Sequence, residues 1–202
     1  MDRLMRMRAS WLRLRVGAGW FVAGHAALLG FFALEMATRR RGAASSLRTS
    51  GEDRGSTRRI GISYAVAAEA PLLLRVVQVP DLPDAAAPIG LALEACGLAL
   101  RAWSMRTLGA SYTRTLRTAA EQQVVDTGPY RLVRHPGYAG SLLIWVGFAL
   151  TSRSPLAPAL VSAVLGDAYR RRIQAEEQLL ERNLPEYGAY RQRTRRLIPF
   201  LW

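Results

Sequence analysis

The sequence predicts an all-α integral membrane protein with about five transmembrane helices. Three observations predict it. Half of the 202 residues are hydrophobic, yet 28 basic side chains against 15 acidic ones leave a net charge of +13. Charge and apolar residues must therefore be segregated. They are: apolar runs of helical length alternate with arginine-rich or Pro/Gly-containing segments, and the arginines gather where a helix would meet lipid headgroups.

Residues 1–15 form a basic N-terminal segment with Arg3, Arg6, Arg8, Arg13 and Arg15. The run 16–37 carries one acid, Glu35, and at 1.5 Å per residue would span about 33 Å, enough for a hydrocarbon core of roughly 30 Å. It is long for a signal peptide, and no small-residue cleavage site closes it, so an uncleaved helix is expected. Residues 38–59 hold seven arginines among Gly, Ser and Thr, a composition suited to a solvated loop. A second apolar stretch, 60–79, is interrupted by Glu69, Pro71 and Arg75, and a third, 85–104, carries Glu94 and Arg101. The Pro80-Asp81-Leu82-Pro83-Asp84 run between them is a turn. The transmembrane part thus covers 16–104, and 105–202 forms a second region. There the apolar runs 137–151 and 155–168 make a short helical hairpin (137–168) around Ser152-Arg153-Ser154-Pro155. Helical patterning then continues from Ala168 to Leu184 as an interfacial C-terminal helix.

Arginine placement orients the chain. Twenty arginines in 38–59, 105–136 and 170–202 oppose six on the other side, which predicts a cytoplasmic C-terminal half and five crossings. The N-terminal arginines then face outward against the rule. In a bacterial source the membrane would be the plasma membrane. A pI near 11.3 raises nucleic acid as a partner. The headgroup placement of the arginines and the lack of a basic face interleaved with aromatics exclude that class. The lone cysteine, Cys96, excludes an internal disulfide and cysteine-based metal centres, and no metal site is expected. Walker, Rossmann, HExxH and nucleophile-elbow patterns are absent. His25 and Cys96 read as packing or hydrogen-bonded core groups rather than ligands.

Two segments carry chemistry. In Gly128–Gly140, GPYRLVRHPGYAG, Gly-Pro makes a turn and Pro136 suits a first helical position. The helix N-terminus then lies beside Arg131, Arg134 and His135, a setting for a carboxylate or phosphate, or equally for an interfacial anchor with its tyrosines and arginines at headgroups. In 168–184, AYRRRIQAEEQLLERNL, Ile173, Leu180 and Leu184 form one stripe flanked by Glu176 and Glu177. Arg172 stands one turn before Glu176. A surface ion pair is the plain reading of that spacing. A helix packed over the Gly128 segment would make one polar site instead.

Together with LRAW at 100–103, LG at 108–109, YGAY at 187–190 and RLIPF at 196–200, these segments resemble the isoprenylcysteine carboxyl methyltransferase family of integral membrane enzymes. The resemblance covers about the last hundred residues. It implies S-adenosylmethionine as cofactor, bound near the cytoplasmic surface through Gln122, Gln123, Val124, Val125, Tyr130, His135, Pro136, Gly137, Tyr138 and Glu176. It implies that Arg172 holds the acidic group of a lipophilic or prenylated acceptor, and Arg134 offers a second planar fork for a carboxylate. A carboxylate acceptor is already ionised and needs no base, whereas a hydroxyl would call on His135 or Glu177. The family's Phe-Gly before the tyrosine motif is replaced by Leu184-Pro185, one residue shorter, which alters the segment after Glu177. The related phospholipid N-methyltransferases share the C-terminal pattern. A non-catalytic transport component using Glu69, Arg75 and Glu94 as a polar pathway, or a membrane reductase, stands as an alternative from another class.

Overall fold

The computed structural model describes residues 2–39, 55–74, 77, 79–109 and 124–198, with the side chains of the first helix described from residue 19 to 37. Five long helices and a short one follow one another: α1 (Asp2–Arg39), α2 (Ser56–Leu73), α3 (Ala86–Leu108), α4 (Pro136–Thr151), α5 (Leu156–Asn183) and α6 (Tyr187–Arg193). Among the described residues there is no strand, only an isolated parallel bridge between Val133 and Arg195.

Several boundaries differ from the sequence expectation. From residue 2 onward the basic segment is part of α1, since Leu, Met, Ala and Arg are all good helix formers and nothing there breaks the pattern. Helix α2 begins at Ser56, inside the expected loop, where Gly55 at φ 77° starts the chain into the helix. It stops at Leu73, two residues after Pro71, and so falls short of the expected 79. Helix α3 runs on to Leu108, ended by Gly109 at φ 51°. Two segments, Gly19–Ala37 and Ala86–Leu108, are long and apolar enough to cross a membrane. Helix α4 is apolar but shorter.

Helices α3 and α4 pack backbone to backbone. A Cβ placed on Gly90 would lie 2.5 Å from the Gly147 carbonyl oxygen, and one on Gly97 would lie 2.6 Å from that of Gly140. Only glycine permits this approach, the small-residue packing by which helices gain contact without a hydrophobic drive between them. Around this pair, the core joins Leu28 and Phe31 of α1, Ala67 and Ala70 of α2, Ile144, Trp145 and Phe148 of α4, and Val161, Leu165, Tyr169 and Ile173 of α5. Tyr64 stacks on Trp145 at 5.0 Å and accepts a 3.1 Å hydrogen bond from the Tyr169 hydroxyl. Arg153 fastens the far end: it donates to the Leu82 carbonyl and pairs with Asp84 at 2.9 Å. The 80–84 and 152–155 turns therefore meet at the end of α4 opposite the GPYRLVRHPGY segment.

The ionisable groups within the helices divide. Glu94 is fully buried against Gly24, Gly147 and Thr151, and both its carboxyl oxygens are without a partner among the described residues. Glu69 is exposed, and Arg75 lies outside the described residues. His25 and Cys96 were expected in the core and instead are exposed. Helices α1 and α3 lie at the rim of the bundle, so residues off their packed stripes face outward. His25 still meets Phe148 edge-on at 4.8 Å and bonds the Phe21 carbonyl oxygen.

Candidate functional site

Gly128, at φ 56°, opens a single 3-10 turn, Gly128–Arg131, whose Tyr130 N–H donates to the Thr127 carbonyl. His135 then caps α4 and Pro136 takes the first helical position, where its missing N–H costs nothing. No side chain caps this start. Residues 132–135 run alongside 194–196 instead: Arg134 N–H donates to the Arg195 carbonyl at 2.7 Å, and His135 N–H to that of Arg196 at 3.0 Å. The RHP element and the segment following α6 are thereby one backbone unit, with buried amide donors satisfied.

Glu177 is the electrostatic centre of this unit. Its Oε1 accepts from Arg134 Nε at 2.8 Å and lies 3.2 Å from His135 Nε2, while Oε2 accepts from Arg196 Nε at 3.1 Å. Burial alone would raise its pKa. The hydrogen bonds and positive charge of His135 and Arg134 outweigh burial and pull it down from 4.5 to about 2. Arg134 spends its remaining reach on the Arg191 and Thr194 carbonyls, which close the end of α6. Its guanidinium, 7% exposed, is committed to the scaffold rather than presented as an open fork.

A second chain of contacts runs beside the first. The Tyr138 hydroxyl donates to Glu176 Oε2 at 2.9 Å and accepts from Arg172 Nε at 3.3 Å. Arg172 and Glu176, one turn apart on α5, are thus joined through a tyrosine from α4. Arg172, 3% exposed, also donates from one terminal nitrogen to Ser56 Oγ at 2.7 Å and to Thr57 Oγ1 at 3.3 Å. Below them, Arg101 of α3 pairs with Glu35 of α1 and donates to the Gly137 carbonyl at 2.9 Å and Ser141 Oγ at 2.6 Å. It pins the first turn of α4 to two other helices.

On the other side, Tyr130, Leu184, Tyr187 and Tyr190 form an aromatic cluster, packed by Val124, Val125 and Leu180. Tyr190 donates to the Tyr130 carbonyl at 2.8 Å, whereas the Tyr187 hydroxyl is buried with no partner among the described residues.

The structure therefore gathers Tyr130, Arg134, His135, Pro136, Gly137, Tyr138, Arg172 and Glu176 into linked clusters, with Val124 and Val125 at the aromatic edge. Gln122 and Gln123 lie outside the described residues. Ser56 and Thr57, which the sequence assigns to a solvated loop, reach the site as well. A Ser-Thr pair just before an apolar run is a helix-start signal and could have moved that boundary. Sequence reasoning also misses Arg196, whose charge carries no positional mark.

Comparison with known proteins adds the following. The sequence model of the isoprenylcysteine carboxyl methyltransferase family matches residues 90–182. A probable protein-S-isoprenylcysteine O-methyltransferase of Oryza sativa subsp. indica is 34% identical over 116 residues, 56% of this chain and 61% of that protein. The nickel-cobalt-cadmium resistance protein NccN of Alcaligenes xylosoxydans xylosoxydans is 34% identical over 79 residues, 39% of this chain and 37% of that one. The fold matches that of the eukaryotic intramembrane Ras methyltransferase, an isoprenylcysteine carboxyl methyltransferase, with a TM-score of 0.57 at 21% identity, over 70% of this chain and 52% of that one. The chain therefore spans about three-fifths of the length of the rice relative. Residues 90–182, which the family model matches, hold most of the two contact clusters, and over that stretch the chain resembles the isoprenylcysteine carboxyl methyltransferase family in sequence and shares its fold.

Proposed function

We propose that this chain is a multi-pass membrane enzyme that uses S-adenosylmethionine to methylate the carboxylate of a lipophilic acceptor of the isoprenylcysteine type, with its site on the cytoplasmic side. The observation that carries this reading is the Arg172–Tyr138–Glu176 chain, which joins a buried cation and a half-buried acid beside the start of α4. The residues present fit the cofactor. Glu176 Oε1 carries no protein partner among the described residues, and a carboxylate oxygen there suits the ammonium or hydroxyl groups of S-adenosylmethionine. Tyr130, Val124 and Val125 offer an apolar wall in the aromatic cluster. When bound, that group supplies a methyl made electrophilic by its sulfonium.

The protein's own contribution is position. An ionised carboxylate needs no base, so the chain has to hold it in line and exclude water. Arg172 does the holding: its planar guanidinium, steadied by Ser56, Thr57 and Tyr138, is buried enough for a charge-assisted bond to count for more than it would in water. Arg134 and Glu177 act one step back, fixing the RHP backbone and the end of the chain. Five helices spanning 16–104 and the 137–168 hairpin would let a lipid tail reach the site sideways from the bilayer, while the C-terminal helix lies at the interface. A hydroxyl acceptor is the second reading, favoured by the His135–Glu177 contact, which orients an imidazole as a base would be oriented.

Calorimetry on detergent-purified protein tests the reading. S-adenosylhomocysteine should bind, and Glu176→Gln should abolish the binding. Methyl transfer to a prenylcysteine mimic should be lost in Arg172→Gln with cofactor binding retained. Folded wild-type protein that binds no S-adenosylhomocysteine would overturn it.

A further inference from the structure

We infer that Tyr187 completes the cofactor site, its hydroxyl donating a hydrogen bond to a ring nitrogen of the bound adenine. The inference rests on the S-adenosylmethionine reading above and extends it to α6, beyond the family-matched segment. Tyr187 is 3% exposed, and its hydroxyl oxygen has no partner among the described residues. Leaving a buried hydroxyl unsatisfied forfeits its hydration with nothing in return, so such a group calls for a reason. Its neighbour Tyr190, one turn on and equally buried, is satisfied by the Tyr130 carbonyl, so the cluster can supply partners where it needs them.

The surroundings select the ligand. Tyr130, Leu184, Val124, Val125 and Leu180 give the cluster apolar and aromatic walls, which suit a flat heteroaromatic ring better than a charged amino-acid tail. The charged tail has its counterpart on the Glu176 side. Burial first, then the nearby Glu177 and Glu176 carboxylates, push the phenol well above its usual range, so the group keeps its proton and serves as a donor. Adenine presents ring nitrogens that accept.

Tyr187→Phe keeps the ring and removes the hydroxyl alone. In calorimetry on the full chain in detergent, the variant should bind S-adenosylhomocysteine about fivefold more weakly, the loss expected for one neutral hydrogen bond. It should lose the same factor for 5′-methylthioadenosine, which shares the adenine and lacks the amino-acid tail. Its ligand-free melting temperature should equal or exceed that of the wild type, because the deleted hydroxyl bonds nothing in the protein. Equal affinity in wild type and variant would overturn the assignment, as would a loss confined to S-adenosylhomocysteine or a lower ligand-free melting temperature. A wild type that binds neither compound overturns the cofactor reading itself, and this inference with it.

Discussion

Glu177→Gln tests whether the buried carboxylate holds the RHP element and the segment after α6 together. The glutamate accepts from Arg134 and Arg196 and meets His135, with its side chain only 4% exposed. A pKa lowered from 4.5 to about 2 corresponds, at about 1.4 kcal/mol per unit, to roughly 3 kcal/mol of stability at neutral pH. The folded value lies below the unfolded one, so this contribution is complete above pH 4.5 and drains away as the pH falls toward 2. The amide variant should therefore melt about 6–12 °C below wild type at pH 7, by the scaling for domains of this length. That gap should narrow by more than half by pH 3, as the unfolded chain's carboxylate takes up its proton first. Thermal unfolding of both proteins in detergent, from pH 7 to pH 3, measures it. A gap under about 1 kcal/mol at pH 7, or one that stays constant across the titration, would refute the account of Glu177 as a clamp.

Four further substitutions probe the helix bundle. Gly97→Ala forces a Cβ to within 2.6 Å of the Gly140 carbonyl oxygen and should cost about 2 kcal/mol or more in the same melts, whereas Gly166→Ala meets nothing within 4 Å and should gain up to about 1 kcal/mol from helix propensity. Glu94→Gln replaces a buried, unpartnered acid by a neutral group of the same shape, so melting and cofactor binding should be unchanged. A loss of methyl transfer with binding intact would instead favour a polar pathway through Glu94. Arg101→Met removes the ion pair to Glu35 together with the bonds to Gly137 and Ser141 and should lower the melting temperature; a melting curve like that of wild type would show that these contacts do not hold α4.

Much of the bundle was legible because helix length and apolar periodicity are local properties. The turn at Gly128 and the helix start at Pro136 could be read directly, since both residues impose backbone geometry wherever they stand. The pairing of Glu176 and Glu177 with the RHPGY segment was legible only through family resemblance, for the contacts join residues some 38 to 43 positions apart. What the two acids do separately could not be read at all. Glu176 reaches the tyrosine and Glu177 the arginines because adjacent helix positions diverge by about 100°, and the register of α5 against α4 is a tertiary fact. The outward placement of His25 and Cys96 escaped for a related reason: an apolar run near both ends of the hydropathy scale does not say which face finds a protein neighbour and which finds lipid.

The two glycine contacts between α3 and α4 lie seven residues apart on each helix, at Gly90 with Gly147 and Gly97 with Gly140. Carbonyl oxygens face glycine α-carbons there with no side-chain layer between, so even a slide of one residue, about 1.5 Å along the axis, would drive a neighbouring side chain into backbone. This pair behaves as a door jamb. The edge of the site at Pro136–Tyr138 is built into it, so the position of that edge is fixed by backbone against backbone.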